Sequence, residues 1–298
     1  MKSMFMNYFK EGKLYQWDEG REIYLISPTE IQEEFCLDKN GMDTFLKFQN
    51  PTITLGSNLV VKSGKTKANI KLYSEQLNLP ELDFIQSFKV DVDKLKVASK
   101  FVDKTGNRPI LTGVNINDGF IVATDSYAMY RTTCEAACNL IVSTAFIKAI
   151  SHLNGELEFN CNDKVIACEV DGVTYIGRLL TGNYPDTKKL LDGAREKELK
   201  FSKQELKSFL SYANGKAGFI IFSNNKLVIN DTPVKDKVDF ETELELPIDI
   251  TICVDLEKLS NAINGINVDE IVMEYQEPLK PILLNKEFLV CPCRIMEA

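Results

Sequence analysis

Residues 108–131 read RPILTGVNINDGFIVATDSYAMYR, and no other stretch ties so many unlike residues into one short unit. Ile110, Leu111 and Val114 form an apolar run before Asn117-Asp118-Gly119, and Phe120-Ile121-Val122-Ala123 form a second run after it. Two such runs around an Asp-Gly pair predict an antiparallel hairpin, because glycine supplies the positive φ of a tight turn. Arg108-Pro109 ends whatever precedes the hairpin, since proline disfavours helix at the residue before it. Thr124-Asp125 stops the second strand with side chains that bond their own backbone.

Working outward, 298 residues are too many for one ordinary core and fit two or three domains. Charged residues at 26% and apolar residues at 44% are ordinary globular values. No apolar run approaches the roughly 18 to 20 residues of a membrane span. The opening MKSMFMNYFKEGKLYQW lacks a long apolar core with a small-residue cleavage site, so no signal peptide is expected and the location expected is cytoplasmic. Eight cysteines in such a chain read as reduced thiols used as small buried hydrophobes. Cys134 with Cys138 and Cys291 with Cys293 are the close pairs, and His152 is the sole histidine; zinc wants tighter paired spacings and more ligands. No metal, cofactor or catalytic site is expected. The net charge of −8 argues against a protein that binds nucleic acid over its whole surface, but not against one with its lysines gathered on one face.

Strand-like runs separate five helical segments. These are Met42 to Phe48, a helix from Asp91–Asp93 to Gly106, Ser143 to Leu153, one opened by the capping box Ser202-Lys203-Gln204-Glu205 and ended by Asn214-Gly215, and one running from Asp255 to Asn264-Gly265. SEQLNLPELDF (74–84) reads as an extended strap, Ser223-Asn224-Asn225 as a hairpin turn, and the polar break from Asp192 to Lys197 as a domain boundary. Each helix has an apolar anchor with small or apolar partners at i+3 and i+4: Met42, Leu95, Phe146, Leu206 and Leu259, at intervals of 53, 51, 60 and 53 residues. A unit of one helix plus several strands therefore recurs five times, and two units make a domain of about 100 residues. The fold class expected is α+β, with domains at 1–86, 87–192 and 193–298. A unit with one apolar helix face buries that face on its own sheet, and successive units related by a constant rotation curl toward a ring. The helices' other faces carry Lys96, Lys100, Lys104, Lys148 and Lys258, with Lys203 and Lys207 nearer the flank. Gathered lysines would hold a duplex through phosphate contacts that carry no sequence information and permit sliding.

The order Arg-Pro, Leu-Thr-Gly-Val, a Gly-containing turn and Val-Ala-Thr-Asp resembles the middle domain of the bacterial DNA polymerase III β subunit, the β sliding clamp family. Gly177 to Asp186 (GRLLTGNYPD) and Pro292-Cys293-Arg294 fall where that family would have them. The resemblance implies repeated helix-plus-antiparallel-sheet units of the DNA clamp fold, three domains per chain, and a head-to-tail dimer around double-stranded DNA. It further implies a non-catalytic processivity factor that tethers a replicative DNA polymerase, is opened by a clamp loader, and offers partner peptides a hydrophobic pocket. Carried over by position, that pocket takes Leu111, Thr124, Ser126, Tyr127, Ala128 and Met129, then Pro185, Lys189 and Leu190, and finally Leu289, Cys291, Pro292, Cys293 and Arg294.

This chain departs from the pattern. A sixth anchor would fall near position −11, so the first domain is expected to be reduced to one helix and a remnant hairpin, which leaves the oligomeric state of the ring open. Ser126-Tyr127-Ala128 stands where the family commonly has Gly-His-Arg, and residues 296–298 run past its usual end. A divergent clamp encoded by a phage or mobile element would suit these features. Two other readings compete. A metal-dependent nuclease or hydrolase would use Asp118, Asp125 and Asp186, but two-metal chemistry needs acids converging on one site, and turns explain these. With the sole histidine on a helix back beside Lys148, no Ser-His-Asp arrangement is credible. A non-catalytic β-rich assembly protein would share the repeats and lack the lysine face.

Overall fold

One local pattern recurs along the chain: a short apolar strand ends in Asp or Ser and runs straight into a helix. The strings are FCLD (35–38), FKVD (88–91), LIVS (140–143), LKFS (199–202) and ICVD (252–255). In a computed structural model, which describes residues 4–191, 193, 195–213, 217–223, 225–234, 237–243 and 248–296, the last residue of four of these strings caps the helix that follows. Asp38 accepts from the Gly41 amide at 2.8 Å, Ser143 from Phe146 at 3.3 Å, Ser202 from Glu205 at 3.4 Å and Asp255 from Lys258 at 3.0 Å. Each such cap satisfies an orphan helix donor and stabilises by about 1 kcal/mol.

Three strands lead, β1 (Met6–Lys10), β2 (Lys13–Trp17) and β3 (Ile23–Pro28). The first strand–helix–three-strand module is β4 (Phe35–Asp38), α1 (Lys39–Phe45), β5 (Thr52–Leu55), β6 (Asn58–Ser63) and β7 (Thr66–Lys71). The second is β8 (Gln86–Asp91), α2 (Val92–Ala98), β9 (Gly113–Asn117), β10 (Phe120–Thr124) and β11 (Ala128–Thr133). The third is β12 (Asn139–Ser143), α3 (Thr144–Ala149), β13 (Glu156–Cys161), β14 (Val165–Val170) and β15 (Val173–Arg178), followed by a short α4 (Lys188–Leu191). The fourth is β16 (Lys197–Ser202), α5 (Lys203–Ser211), β17 (Phe219–Ser223), β18 (Lys226–Asn230) and β19 (Phe240–Glu243). The fifth is β20 (Ile252–Asp255), α6 (Leu256–Gly265), β21 (Glu270–Tyr275), β22 (Ile282–Leu284) and β23 (Phe288–Val290), closed by β24 (Pro292–Cys293). All five anchors are core: Met42, Leu95, Phe146 and Leu259 are fully buried and Leu206 is 1% exposed.

The chain forms two compact units, Met1–Val92 with Glu135–Thr181, and Asp93–Cys134 with Gly182–Ala298. In the first, strands run β4-β1-β2-β3-β15-β14-β13-β8, beside a separate sheet β5-β6-β7. In the second, the order β9-β10-β11-β23-β22-β21-β16 repeats that construction, beside β19-β18-β17-β20-β24. Two rules generate both. The opening strand of a module pairs with another triplet (β8 on β13, β16 on β21, β20 on β17), so two modules are needed to complete a core. The last strand of one triplet pairs with the last strand of a later one, β3 on β15 and β11 on β23. β5, β7 and β19 each keep a free edge among the described residues.

Helices cover one face of each sheet. Gly177 of β15 is glycine for that reason, because a Cβ there would lie 2.5 Å from the Phe146 ring of α3. The hairpin turn is as expected: Asp118 and Gly119 take φ of +46° and +81°, the mirror-image turn that matches strand twist.

Several expectations are corrected. Ile110 and Leu111 lie not in a strand but in a 3-10 turn, Pro109–Thr112. The helix expected to reach Gly106 stops at Ala98, because the Asp103 carboxylate gathers the amides of Thr105 and Arg108 at 2.8 and 3.1 Å and pulls the chain into a loop. Lys100 and Lys104 therefore do not continue a helical row from Lys96. His152 lies beyond the end of α3 and its Nε2 is 3.1 Å from the Tyr175 hydroxyl. All eight cysteines are free thiols, and burial pushes Cys36, Cys168 and Cys253 up to about 12. The helix end expected at Asn214-Gly215 and the centre of the turn at Asn224 lie outside the described residues, as do Asp192, Ala194 and residues 297–298.

Candidate functional site

On the face of the second unit's long sheet that points away from the helices, strand alternation brings together Val122 of β10, Met129 of β11, Leu283 of β22 and Leu289 of β23. Phe120, Tyr184, Leu191 and Cys291 pack against them, partly buried. The register sets the neighbours: Met129 lies opposite Leu289, and Leu289 opposite Leu283.

The turn from Thr124 to Ala128 borders this cluster and is fully bonded. Asp125 Oδ1 accepts from the amides of Tyr127 and Ala128 at 2.9 and 2.8 Å, while Thr124 Oγ1 donates to the Ala128 carbonyl at 2.8 Å. Ser126 sits at φ +79°, a region costly for a non-glycine residue, and its hydroxyl accepts from Arg108 Nη1 at 2.8 Å. The turn grips both flanking segments. The Thr124 amide donates to the Tyr184 hydroxyl at 3.0 Å, and the Cys291 amide donates to the Tyr127 carbonyl at 2.8 Å. Burial raises the Tyr184 hydroxyl far above the ordinary tyrosine range, so it stays protonated. On the other side Arg195 donates to the carbonyls of Leu190 and Leu191 at 3.0 and 3.2 Å, capping α4. Leu190 is left 51% exposed and Tyr127 69% exposed. Apolar floor, bonded turn and exposed leucine and tyrosine suit an apolar peptide side chain.

No protein-family model matches the chain. The β sliding clamp of Staphylococcus epidermidis is 26% identical over 305 aligned residues, taking in 90% of this chain and 79% of that protein. Among solved structures, the Helicobacter pylori β clamp bound to a DNA ligase peptide matches with TM-score 0.80 and 18% identity, over 97% of this chain and 91% of that one. The DNA polymerase sliding clamp from Bacillus subtilis matches with TM-score 0.80 and 17% identity, over 98% and 91%. The chain is similar in sequence to β sliding clamps and shares the fold of their solved structures.

Of the pocket residues that the resemblance to the β sliding clamp family implies, Met129, Leu289 and Cys291 join the cluster. Thr124, Ser126, Tyr127 and Ala128 form its bordering turn, Pro292 opens β24, and Pro185, Lys189, Leu190 and Arg294 are exposed. Two are placed elsewhere. Leu111 is buried in its 3-10 turn outside this cluster, and Cys293 packs with Ile221, Val228 and Cys253. Sequence reasoning missed Val122, Leu283, Tyr184 and Leu191; the alternation of Phe120, Val122 and Thr124 along β10 was the available signal.

The lysines are unequal. Lys100, Lys148 and Lys207 are exposed and carry no side-chain hydrogen bond or ion pair among the described residues. Lys203 and Lys207 line a depression of about 450 Å³ with Gln204, Ser208 and Asp269, and Lys203 Nζ bonds the Ile266 carbonyl. Lys96 pairs with Asp93 at 2.8 Å and Lys104 with Glu257 at 2.5 Å. Lys258 is turned to Asp125. The carboxylates considered for a nuclease do backbone work: Asp125 holds its turn, Asp186 accepts from the Lys188 amide at 3.0 Å, and Asp118 makes the hairpin. Among the described residues, no three or more His, Cys, Asp or Glu form a group able to hold a metal, and no helix is long and apolar enough to cross a membrane.

Proposed function

We propose that this protein is a DNA sliding clamp, a processivity factor without catalytic activity, which encircles double-stranded DNA in the cytoplasm and tethers a replicative DNA polymerase after a clamp loader has placed it. The observation that carries the reading is the strand–helix–three-strand module repeated five times, in a chain that matches β sliding clamps over nearly its whole length. The sequence segments 1–86, 87–192 and 193–298 are its three domains, the first contributing one helix.

The free edges support closure by self-association. Inside the chain the last strands of two triplets pair, so β19 of one copy is the natural partner for β7 of the next. Their charges are complementary, with Glu241 and Glu243 on one and Lys67 and Lys71 on the other. Beside β19, Tyr212 and Phe240 stack at 6.1 Å, 61% and 43% exposed, on a groove of about 830 Å³ shared with α5. In the ring, Lys100, Lys148 and Lys207 contact phosphate, with Lys203, Lys96 and Lys104 available by exchanging partners. The cluster around Met129 and Leu289 takes a polymerase tail peptide.

Retention on nicked circular DNA tests the reading. A loaded ring is retained and is lost on linearisation. Equal retention on circular and linear DNA, or metal-dependent cleavage of either, would contradict it.

A further inference from the structure

Lys258 is one of the lysines expected on a DNA-facing helix surface, yet its amine is committed elsewhere. It sits in the first turn of α6, where its amide is held by the Asp255 cap at 3.0 Å, so the root of the side chain is fixed. Lys258 Nζ donates to Asp125 Oδ2, and the two side chains are only 24% and 8% exposed. Burial draws the amine's pKa down, but the hydrogen bond and charge of Asp125 outweigh it and hold the pKa above the ordinary lysine range. The other Asp125 oxygen accepts both amides of the turn that bonds Cys291 and leads into Met129.

A carboxylate this buried needs a cation against its second oxygen, since an unpaired buried charge is far more costly than the pair. We propose that Lys258 is a positioning residue of the peptide groove, locking the Thr124–Ala128 turn from α6, and is not a DNA contact. This deepens the groove reading above and rests on it. Without the amine, the carboxylate swings toward water. Tyr127 and Ala128 amides then lose their acceptor, and the turn releases Cys291 and Met129 from the register that forms the groove floor.

The test uses the full chain as wild type, Lys258→Met and Lys258→Arg, with a fluorescein-labelled DNA ligase peptide of the kind that the Helicobacter pylori clamp binds. Anisotropy reads peptide affinity, and retention on nicked circular DNA is followed against salt. Lys258→Met is expected to weaken peptide binding by roughly tenfold or more, and Lys258→Arg to return it to within about threefold, because guanidinium also pairs with a carboxylate. The salt slope of DNA retention stays the same in all three, whereas removal of a phosphate contact would reduce it by about one. Unchanged peptide affinity in Lys258→Met overturns the inference, as does a loss that Lys258→Arg fails to rescue or a reduced salt slope with peptide affinity intact. If wild type does not bind the peptide, the groove reading itself falls.

Discussion

The outer faces of the two long sheets are built from equivalent strands and are equally buried, yet the chain's own linker covers one with four apolar side chains and the other with two. In the first unit Trp17 of β2, Tyr24 of β3, Ile176 of β15, and Val165 and Ala167 of β14 form the face. In the second, Val122, Met129, Leu289 and Leu283 hold the corresponding strands. The linker between the first and second modules lays Tyr73, Leu77, Leu79 and Leu82 across the first face. Among the described residues, the linker between the third and fourth modules gives the second face only Tyr184 and Leu191, and leaves Leu190 exposed. The same scaffold thus carries a broad apolar cover once and a narrow one once, the narrow one with an exposed leucine beside it. Linker composition, rather than sheet architecture, sets the difference between the two faces.

The comparison can be broken by substitution. Met129→Ala removes a fully buried side chain from the second face and is expected to cost about 2–5 kcal/mol of stability by denaturant titration. A cost below about 1 kcal/mol would show that Met129 is not floor. Leu77→Ala with Leu79→Ala thins the cover of the first face; partial burial of both side chains sets the expected loss at roughly 1–3 kcal/mol, with peptide affinity unchanged. Altered peptide affinity in that variant would mean that the two faces are not independent. Leu190→Ala is expected to move stability by no more than about 0.5 kcal/mol and yet to weaken peptide binding about tenfold, since its side chain is free for a partner. Wild-type peptide affinity would remove Leu190 from the groove.

The smallest effect concerns the ion pair Lys104–Glu257, whose side chains are 61% and 59% exposed. The hydrogen bond from Lys104 holds the Glu257 carboxyl below the usual glutamate range against the opposing effect of burial. A depressed folded pKa contributes stability above the ordinary glutamate pKa and loses it as pH falls through the folded value. Glu257→Gln is therefore expected to lower stability by about 0.2–1 kcal/mol at neutral pH and by nothing once the pH lies below the folded value. A deficit that persists in acid would contradict an electrostatic origin.

Much of this frame could be read from residues. The five helix anchors, the caps at Ser143, Ser202 and Asp255, and the hairpin at Asp118-Gly119 follow from local rules that the fold obeys. What escaped were opening strands such as β16 and β8. KELKFS and QSFKVD alternate charge with single apolar residues, and their partners lie far along the chain, β21 for β16 and β13 for β8. Nothing local marks a strand whose stabilisation comes from a distant edge. The end of α2 was misread because Lys96, Lys100 and Lys104 keep a helical spacing through a loop that Asp103 organises. The groove was half legible. Residues in the turn and the last strands were found by motif, while Val122, Leu283, Tyr184 and Leu191 required the register. The role of Lys258 was not legible, since its partner Asp125 is 133 residues away.

Amide hydrogen exchange with and without the DNA ligase peptide tests the central comparison most directly. The expected result is slowed exchange in residues 120–131, 184–191 and 288–291, with residues 13–28 and 165–178 unchanged. Protection confined to the first unit's sheet, or spread equally over both, would contradict it.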